Sequence, residues 1–320
     1  MIEYESLGRL NKSFEDEYVQ CFKDLLDSGW YILGKQVATF EEAFAQYCGT
    51  KYCIGVASGL DALMLALRCY DFPVGSEVLV PSNTYIATIL SILQCGLKPV
   101  LVEPDIHTYN IDPLRIEEKI TKNTRAIMVV HLYGKSCDMG SIMAIADKYE
   151  LPVIEDCAHT FFTKSPYIGE VGDFVIYSLP KAFPMQLGAI LSSRKFDLGK
   201  VKVSWELGNY IERRLFSHIK RSEEIKQKRL VNYKLLAERL SFLGISPFFD
   251  YKLGTIPGVF LFRWLENIDY PSLKIYMQTN GIECSVFYGQ NAFFIPIHDF
   301  IQENDIDYMC ALLEFFYNQT

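Results

Sequence analysis

The chain has 320 residues, half of them hydrophobic, enough to bury a large core and more than one typical compact domain holds. Its net charge of −8 argues against a nucleic-acid binder, because neutralising phosphates needs clustered lysine and arginine. Nine cysteines without a CxxC pair fit no zinc site or disulfide framework and read as reduced thiols of a cytoplasmic protein; the start MIEYESLGRL has no apolar h-region, and no apolar run is long enough to span a bilayer.

Residues 14–28 have helical periodicity that stops at Gly29, and residues 38–48 form a second amphipathic stretch with Thr39 placed as its N-cap. A regular alternation follows. Strands are expected over 51–57, 77–81, 99–103, within 125–134, and over 151–156; helices are expected over 59–70, 84–96 and 139–150, with Asp112-Pro113 opening another as N-cap and first helical residue. The strands are continuously apolar, the pattern of a mostly parallel sheet with helices on both faces. Residues 173–179 read as a further strand. Residues 187–193 pair with it antiparallel, since the two are too close for a crossover helix. Beyond residue 200 come a long charged helical stretch (206–243) and a smaller α+β unit: a strand at 259–264, a helix at 272–281 and a last helix near 305–317. This divides the chain into a large α/β domain, 1–200, and a small C-terminal α+β domain, 201–320.

In such sheets ligands gather beyond the C-terminal strand ends, and four segments fall there. Ser58, Gly59 and Leu60 open a helix after the first strand, where free N–H groups and a partial positive charge suit a phosphate; an ordinary helix capped by Ser58 is the plainer alternative. Tyr85 follows the second strand, placed to stack on a flat ligand or simply half-buried. Asp156 ends an apolar strand, with His159 just beyond. A buried acid there needs a cation such as a protonated pyridine nitrogen, or serves as a helix cap. Lys181 follows Ser178 between prolines and apolar residues; burial would favour its neutral, nucleophilic amine, whereas a solvated surface charge is the commoner fate of a lysine. In chain order these supply a phosphate cradle, a stacking ring, a carboxylate for a ring nitrogen and a Schiff-base lysine, the set that pyridoxal 5′-phosphate (PLP) requires.

The stretches SGWYILGKQVATFEEAFAQYCG, GVASGLDALMLAL, GSEVLVPSNTYIATILSILQCGLKPVLVEPD, TYNID, HLYG and VIEDCAH, in this order, resemble the DegT/DnrJ/StrS family of PLP-dependent sugar aminotransferases, within fold-type I enzymes. The resemblance runs from about residue 28 to 215. It implies that Gly59 and Leu60 hold the cofactor phosphate by backbone N–H groups, with Ser178 adding a hydroxyl. It further implies that Tyr85 stacks on the pyridine ring, that Asp156 pairs with the ring nitrogen, and that His159 sits near the phenolic oxygen. Asn209 matches an asparagine that reaches the phosphate from a neighbouring subunit, and Tyr288 and His298 correspond to sugar-site residues at wider spacing, with a surface residue as the alternative for His298. The implied activity moves an amino group, from glutamate by analogy, to a nucleotide-linked keto-sugar, in a homodimer with shared active sites. Three departures accompany it: a Ser178–Lys181 spacing two residues short, Leu187-Gly188-Ala189 in place of Glu-Gly-Gly, and a shorter chain. The distance from Lys181 to Gly188 retains the family's lysine-to-glycine interval, which keeps Lys181 as the assignment. A sugar dehydratase on the same scaffold carries histidine in place of the lysine, so Lys181 argues against it. A non-catalytic paralogue that binds a nucleotide sugar is the other alternative.

Overall fold

The structure is a computed structural model. It describes residues 11–12, 14–30, 34–163, 168–182, 188–196, 198, 208–249, 251, 254–264, 268–287 and 292–319, with the backbone alone over 208–222. The elements run α1 (Glu15–Ser28), α2 (Lys35–Cys48), β1 (Tyr52–Val56), α3 (Gly59–Arg68), β2 (Glu77–Pro81), α4 (Ile86–Gln94), β3 (Lys98–Val102), α5 (Pro113–Lys119), β4 (Thr124–Val130), α6 (Met139–Lys148), β5 (Val153–Asp156), β6 (Phe174–Ser178) and β7 (Ala189–Ser193). They continue with α7 (Gly208–Ser241), β8 (Ile245–Pro247), β9 (Val259–Trp264), α8 (Tyr270–Thr279), β10 (Ser285–Val286), β11 (Phe293–Pro296) and α9 (Glu303–Tyr317).

Local chemistry explains most of the boundaries. α1 and α2 both end on a glycine in the left-handed region, Gly29 at φ 61° and Gly49 at φ 62°. The Asp112 side chain accepts from the Leu114 N–H, with Pro113 at the first helical position. Thr39 does not cap α2. The helix starts four residues earlier, after an extended Gly34, and the Thr39 hydroxyl donates to the Lys35 carbonyl inside it. That back-bond lets a threonine sit within a helix.

The first seven strands form one sheet in the order β1-β7-β6-β5-β4-β2-β3. All are parallel except β7, which runs antiparallel between β1 and β6. Alternate residues of each strand serve opposite faces. Val78, Val80, Ala126, Met128 and Ile154 pack with α3 residues Ala62, Leu63, Ala66 and Leu67. Leu79, Ile127, Val129 and Val153 pack with Ile116 of α5 and Met139, Ile142 and Ala146 of α6. Both faces are therefore covered, as a parallel sheet requires.

Residues Phe14–Lys220 form one compact unit, and the chain from Arg221 onward belongs to a second. The second unit holds an antiparallel sheet of order β10-β11-β9-β8. Phe260, Phe262, Phe293 and Ile295 pack there with Leu273 and Met277 of α8 and with Ile306, Met309 and Leu313 of α9. Among the described residues no helix is long and apolar enough to cross a membrane.

Candidate active site

Strand register brings the separate sequence segments to one edge. Val56 at the end of β1 pairs with Ala189, which pairs with Ser178 at the end of β6. Neighbouring strands lie about 4.8 Å apart, so the ends of β1 and β6 are about 10 Å apart. Backbone bonds tie the three together: Gly188 N–H donates to the Ala57 carbonyl at 2.8 Å, and Leu179 N–H to the Gly188 carbonyl at 3.1 Å. β5 adjoins β6, with Asp156 opposite Ile176. β4 and then β2 follow.

At the β1 end, Ser58 is extended and its Oγ accepts the Asp61 N–H at 3.2 Å, while its hydroxyl donates to Asp61 Oδ2 at 2.6 Å. The plainer expectation, a helix capped by Ser58, is therefore met. Gly59 and Leu60 are the first residues of α3, so their N–H groups have no intrahelical acceptor. A Cβ placed on Gly59 would meet nothing within 4 Å, which leaves the approach to these groups open.

β5 turns Glu155 and Asp156 to opposite faces. Asp156 is 8% exposed and accepts the Ala158 N–H at 3.0 Å. Burial pushes its pKa up to about 6, against the opposing pull of the Ala158 N–H and His131. A carboxylate this poorly compensated is a receptor for a cation. Glu155 is the reverse case. It is fully buried, yet it accepts from Gly169, Val171 and Gly172 N–H at 2.7, 3.2 and 2.5 Å and meets His131 Nε2 at 3.0 Å. Burial pushes its pKa up, but His131 and the Gly172 and Gly169 N–H groups outweigh that and hold it below the ordinary carboxylate value. Cys137 N–H approaches His131 Nδ1 at 3.1 Å, and His131 Nε2 directs a proton at Glu155. His131, Glu155 and Cys157 have donor atoms within 4.8 Å of one another. Hydrogen bonds engage both His131 nitrogens and both Glu155 oxygens, so the cluster is a clasp that holds the 169–172 turn rather than a metal centre. Sequence reading missed this clasp; the signal was the acid preceding Asp156, which strand alternation sends to the opposite, equally buried face.

His159 lies beyond β5. Its Nδ1 accepts the Tyr133 N–H at 3.3 Å, and the two rings lie 5.7 Å apart. Tyr133 is in the left-handed region, φ 51° and ψ 30°, a conformation that costs a non-glycine residue about 1–2 kcal/mol. The His159 side chain stays open to solvent although protein crowds it on other sides. That crowding, together with the Lys181 ammonium, pushes its pKa down to about 4.

Lys181 ends a short 3-10 turn, Leu179–Lys181, that follows β6 directly. It is exposed, contrary to the burial expected from its apolar flanks, while Leu179 in the same turn is buried. Ser178 is half-buried beside it, and its hydroxyl makes no hydrogen bond among the described residues. Tyr85 caps α4 in extended conformation and is 71% exposed.

Three expected residues are not brought to this edge by anything described. Asn209 is in the first turn of α7, where the backbone alone is described. Tyr288 lies outside the described residues. His298 belongs to the second unit, where its Nδ1 accepts the Phe300 N–H at 3.2 Å and its carbonyl accepts from Asn232 at 3.0 Å.

The model of the DegT/DnrJ/EryC1/StrS aminotransferase family matches residues 12–187. The chain is 59% identical over 180 residues to a dTDP-3-amino-3,6-dideoxy-alpha-D-galactopyranose transaminase of Aneurinibacillus thermoaerophilus, covering 56% of this chain and 50% of that protein. It is 48% identical over 134 residues to a dTDP-3-amino-3,4,6-trideoxy-alpha-D-glucose transaminase of Streptomyces venezuelae, covering 42% and 35% respectively. The chain thus spans half or less of the length of these curated relatives. In fold it matches the S. venezuelae DesV structure, a complex with a ketimine intermediate, with a TM-score of 0.84 at 24% identity, over 100% of this chain and 99% of that one. Bacillus subtilis ntda, solved with bound cofactor PMP, matches with a TM-score of 0.84 at 22% identity, over 99% of this chain and 85% of that one.

Proposed function

Since the chain belongs to the DegT/DnrJ/EryC1/StrS aminotransferase family, we propose that it is a PLP-dependent aminotransferase acting on a nucleotide-linked keto-sugar. The observation that carries this is Asp156, a buried carboxylate at the sheet's C-terminal edge whose hydrogen-bond donor among the described residues is one backbone N–H and whose burial outweighs that bond and the pull of His131. A pyridinium nitrogen is a cation of the right kind for it. The open α3 N-terminus, two strands from Lys181, suits the phosphate at the other end of the same small molecule.

The cofactor, when bound, supplies an electron-accepting ring that stabilises negative charge on the carbon losing a proton. The chain's residues do the rest. Gly59 and Leu60 N–H groups bind the phosphate, with Ser58 and Ser178 beside them. Asp156 holds a proton on the ring nitrogen. Tyr85 covers a face of the ring and excludes water, and His159 sits at the phenolic oxygen. The Lys181 amine would hold the cofactor and would move a proton at the carbon that loses it. The exposed Lys181 suits this traffic, because both substrates must reach it. The Ser58–Asp61 bond bears on affinity: an acid in the first turn of α3 competes with a bound anion.

Glutamate as donor, cytoplasmic location, and a homodimer in which Asn209 completes the partner's site belong to the same reading, as do Tyr288 and His298 on the sugar. So does the division into a cofactor domain to about residue 200 and a smaller domain after it. The direct test is borohydride reduction of the PLP-loaded protein followed by peptide mapping. A phosphopyridoxyl label on Lys181 is expected; a label on another lysine, or none, refutes the assignment. Mass spectrometry after incubation with glutamate and a panel of nucleotide-linked keto-sugars then identifies the acceptor.

A further inference from the structure

Asn110 lies far from the cofactor segments in sequence and is almost fully buried, at 1% exposure. Both ends of its side chain are used on one short turn. Its Oδ1 accepts the Leu132 N–H at 3.1 Å, and its Nδ2 donates to the Lys135 carbonyl at 3.0 Å. The turn between is closed by Lys135 N–H on the Leu132 carbonyl at 2.9 Å. Thr163 on the far side donates to the Gly134 carbonyl. Within this clamp Tyr133 is held in its left-handed conformation, which brings its N–H to His159 Nδ1.

That hydrogen bond has a chemical consequence. A ring nitrogen that accepts a hydrogen bond carries no proton, so in neutral His159 the proton resides on Nε2. A freely tautomerising histidine would offer a ligand a donor part of the time and an acceptor the rest. Here the donor is fixed in advance, and no energy is spent selecting it when an anionic oxygen arrives. The clamp is anchored in turn: Asn83, two residues before Tyr85, donates to the Tyr109 carbonyl at 2.9 Å, and the Asp105 N–H donates to the carbonyl of Asn110 itself.

We propose that Asn110 is a positioning residue that, through the strained Tyr133 turn, locks His159 as the Nε2–H tautomer and so presents a permanent hydrogen-bond donor to an anionic ligand oxygen. The ligand half of this rests on the proposed function, in which that oxygen is the phenolate of PLP. The tautomer half does not.

The test keeps the two apart. Two-bond proton–nitrogen spectra of 15N-histidine-labelled, cofactor-free protein at neutral pH report the tautomer of each ring, and His159→Gln identifies the His159 signals among the five histidines. A single Nε2–H pattern in the wild type, giving way to a tautomer mixture in Asn110→Ala, is expected. An Nδ1–H or mixed pattern in the wild type overturns the proposal, and so does an Asn110→Ala spectrum unchanged from it. If Asn110→Ala does not fold, Asn110→Ser is read by the same criteria. Should it not fold either, the wild-type pattern and the Tyr133 amide decide: that amide signal must move in His159→Phe, and a stationary signal overturns the lock. In PLP-loaded protein, the pH midpoint of the lysine-bound chromophore then rises by roughly 0.3 unit in Asn110→Ala, the size of selecting one tautomer from a near-equal mixture. A protein that binds no PLP refutes the functional reading and leaves the tautomer result standing. An unchanged midpoint in a protein that does bind overturns the ligand half alone.

Discussion

Asp156 and Glu155 are consecutive acids, both buried, with pKa values displaced in opposite directions. The signs follow from linkage. The folded pKa of Asp156, about 6, lies above the 3.8 of an unburied aspartate. Its contribution to stability is therefore intact below about pH 4 and is lost as pH rises through 6, a loss of roughly 3 kcal/mol in the cofactor-free protein. Asp156→Asn removes that cost. The cofactor-free variant is expected to melt higher than wild type at pH 8 and equally at pH 3.5, while turnover falls at least ~100-fold through loss of the charge that holds the pyridinium. Calorimetry at the two pH values and a rate assay check both halves; near-normal turnover would leave Asp156 a cap only. Glu155 is depressed, so its contribution holds above the ordinary carboxylate range and is lost as pH falls through it. Glu155→Ala strands His131 and three backbone N–H groups in the interior, and a loss of about 3–5 kcal/mol is expected by urea denaturation.

The helix ends and the 169–172 turn show which elements depend on single side chains. Ser58 both caps α3 and holds Asp61. Ser58→Ala should cost about 1 kcal/mol of stability, and freeing Asp61 at an anion site should weaken PLP binding as well, measurable by absorbance titration. Unchanged PLP affinity would separate the cap from the cradle. Gly172 is required for space rather than for backbone angle. A Cβ there would come within 2.8 Å of Glu155 Cγ and 3.1 Å of the Val153 carbonyl. The clasp cannot yield without parting from its N–H donors, so Gly172→Ala is expected to destabilise by about 1–3 kcal/mol.

In the molecule as a whole, the proposed shared site predicts complementation between two inactive variants. Lys181→Ala lacks the nucleophile. Asn209→Glu places a negative charge where the partner subunit's phosphate is proposed to bind. In a mixed C2 dimer one site carries both lesions and the other neither. Subunit exchange should then restore up to about half of wild-type activity per mixed dimer. If native mass spectrometry confirms exchange and no activity returns, Asn209 does not act across an interface.

The sequence by itself determined the elements and their class. Apolar strands alternating with capped helices dictated a parallel sheet covered on both faces, and the short 173–193 interval dictated an antiparallel return, because both follow from local periodicity and chain length. The place of the four segments proposed for the cofactor was also readable, since each follows a strand. What tertiary structure decided was direction and pairing. Lys181 is exposed while Leu179, two residues earlier in the same 3-10 turn, takes the buried position. Helix α2 began at Lys35 rather than at a cap on Thr39, whose hydroxyl found the Lys35 carbonyl instead. The Glu155–His131 clasp joins residues 24 positions apart, and Asn110 meets its turn across 22 and 25. No local pattern encodes such contacts: a buried polar group is satisfied by whatever the packed sheet brings within reach, and that is fixed only when the strands are in register.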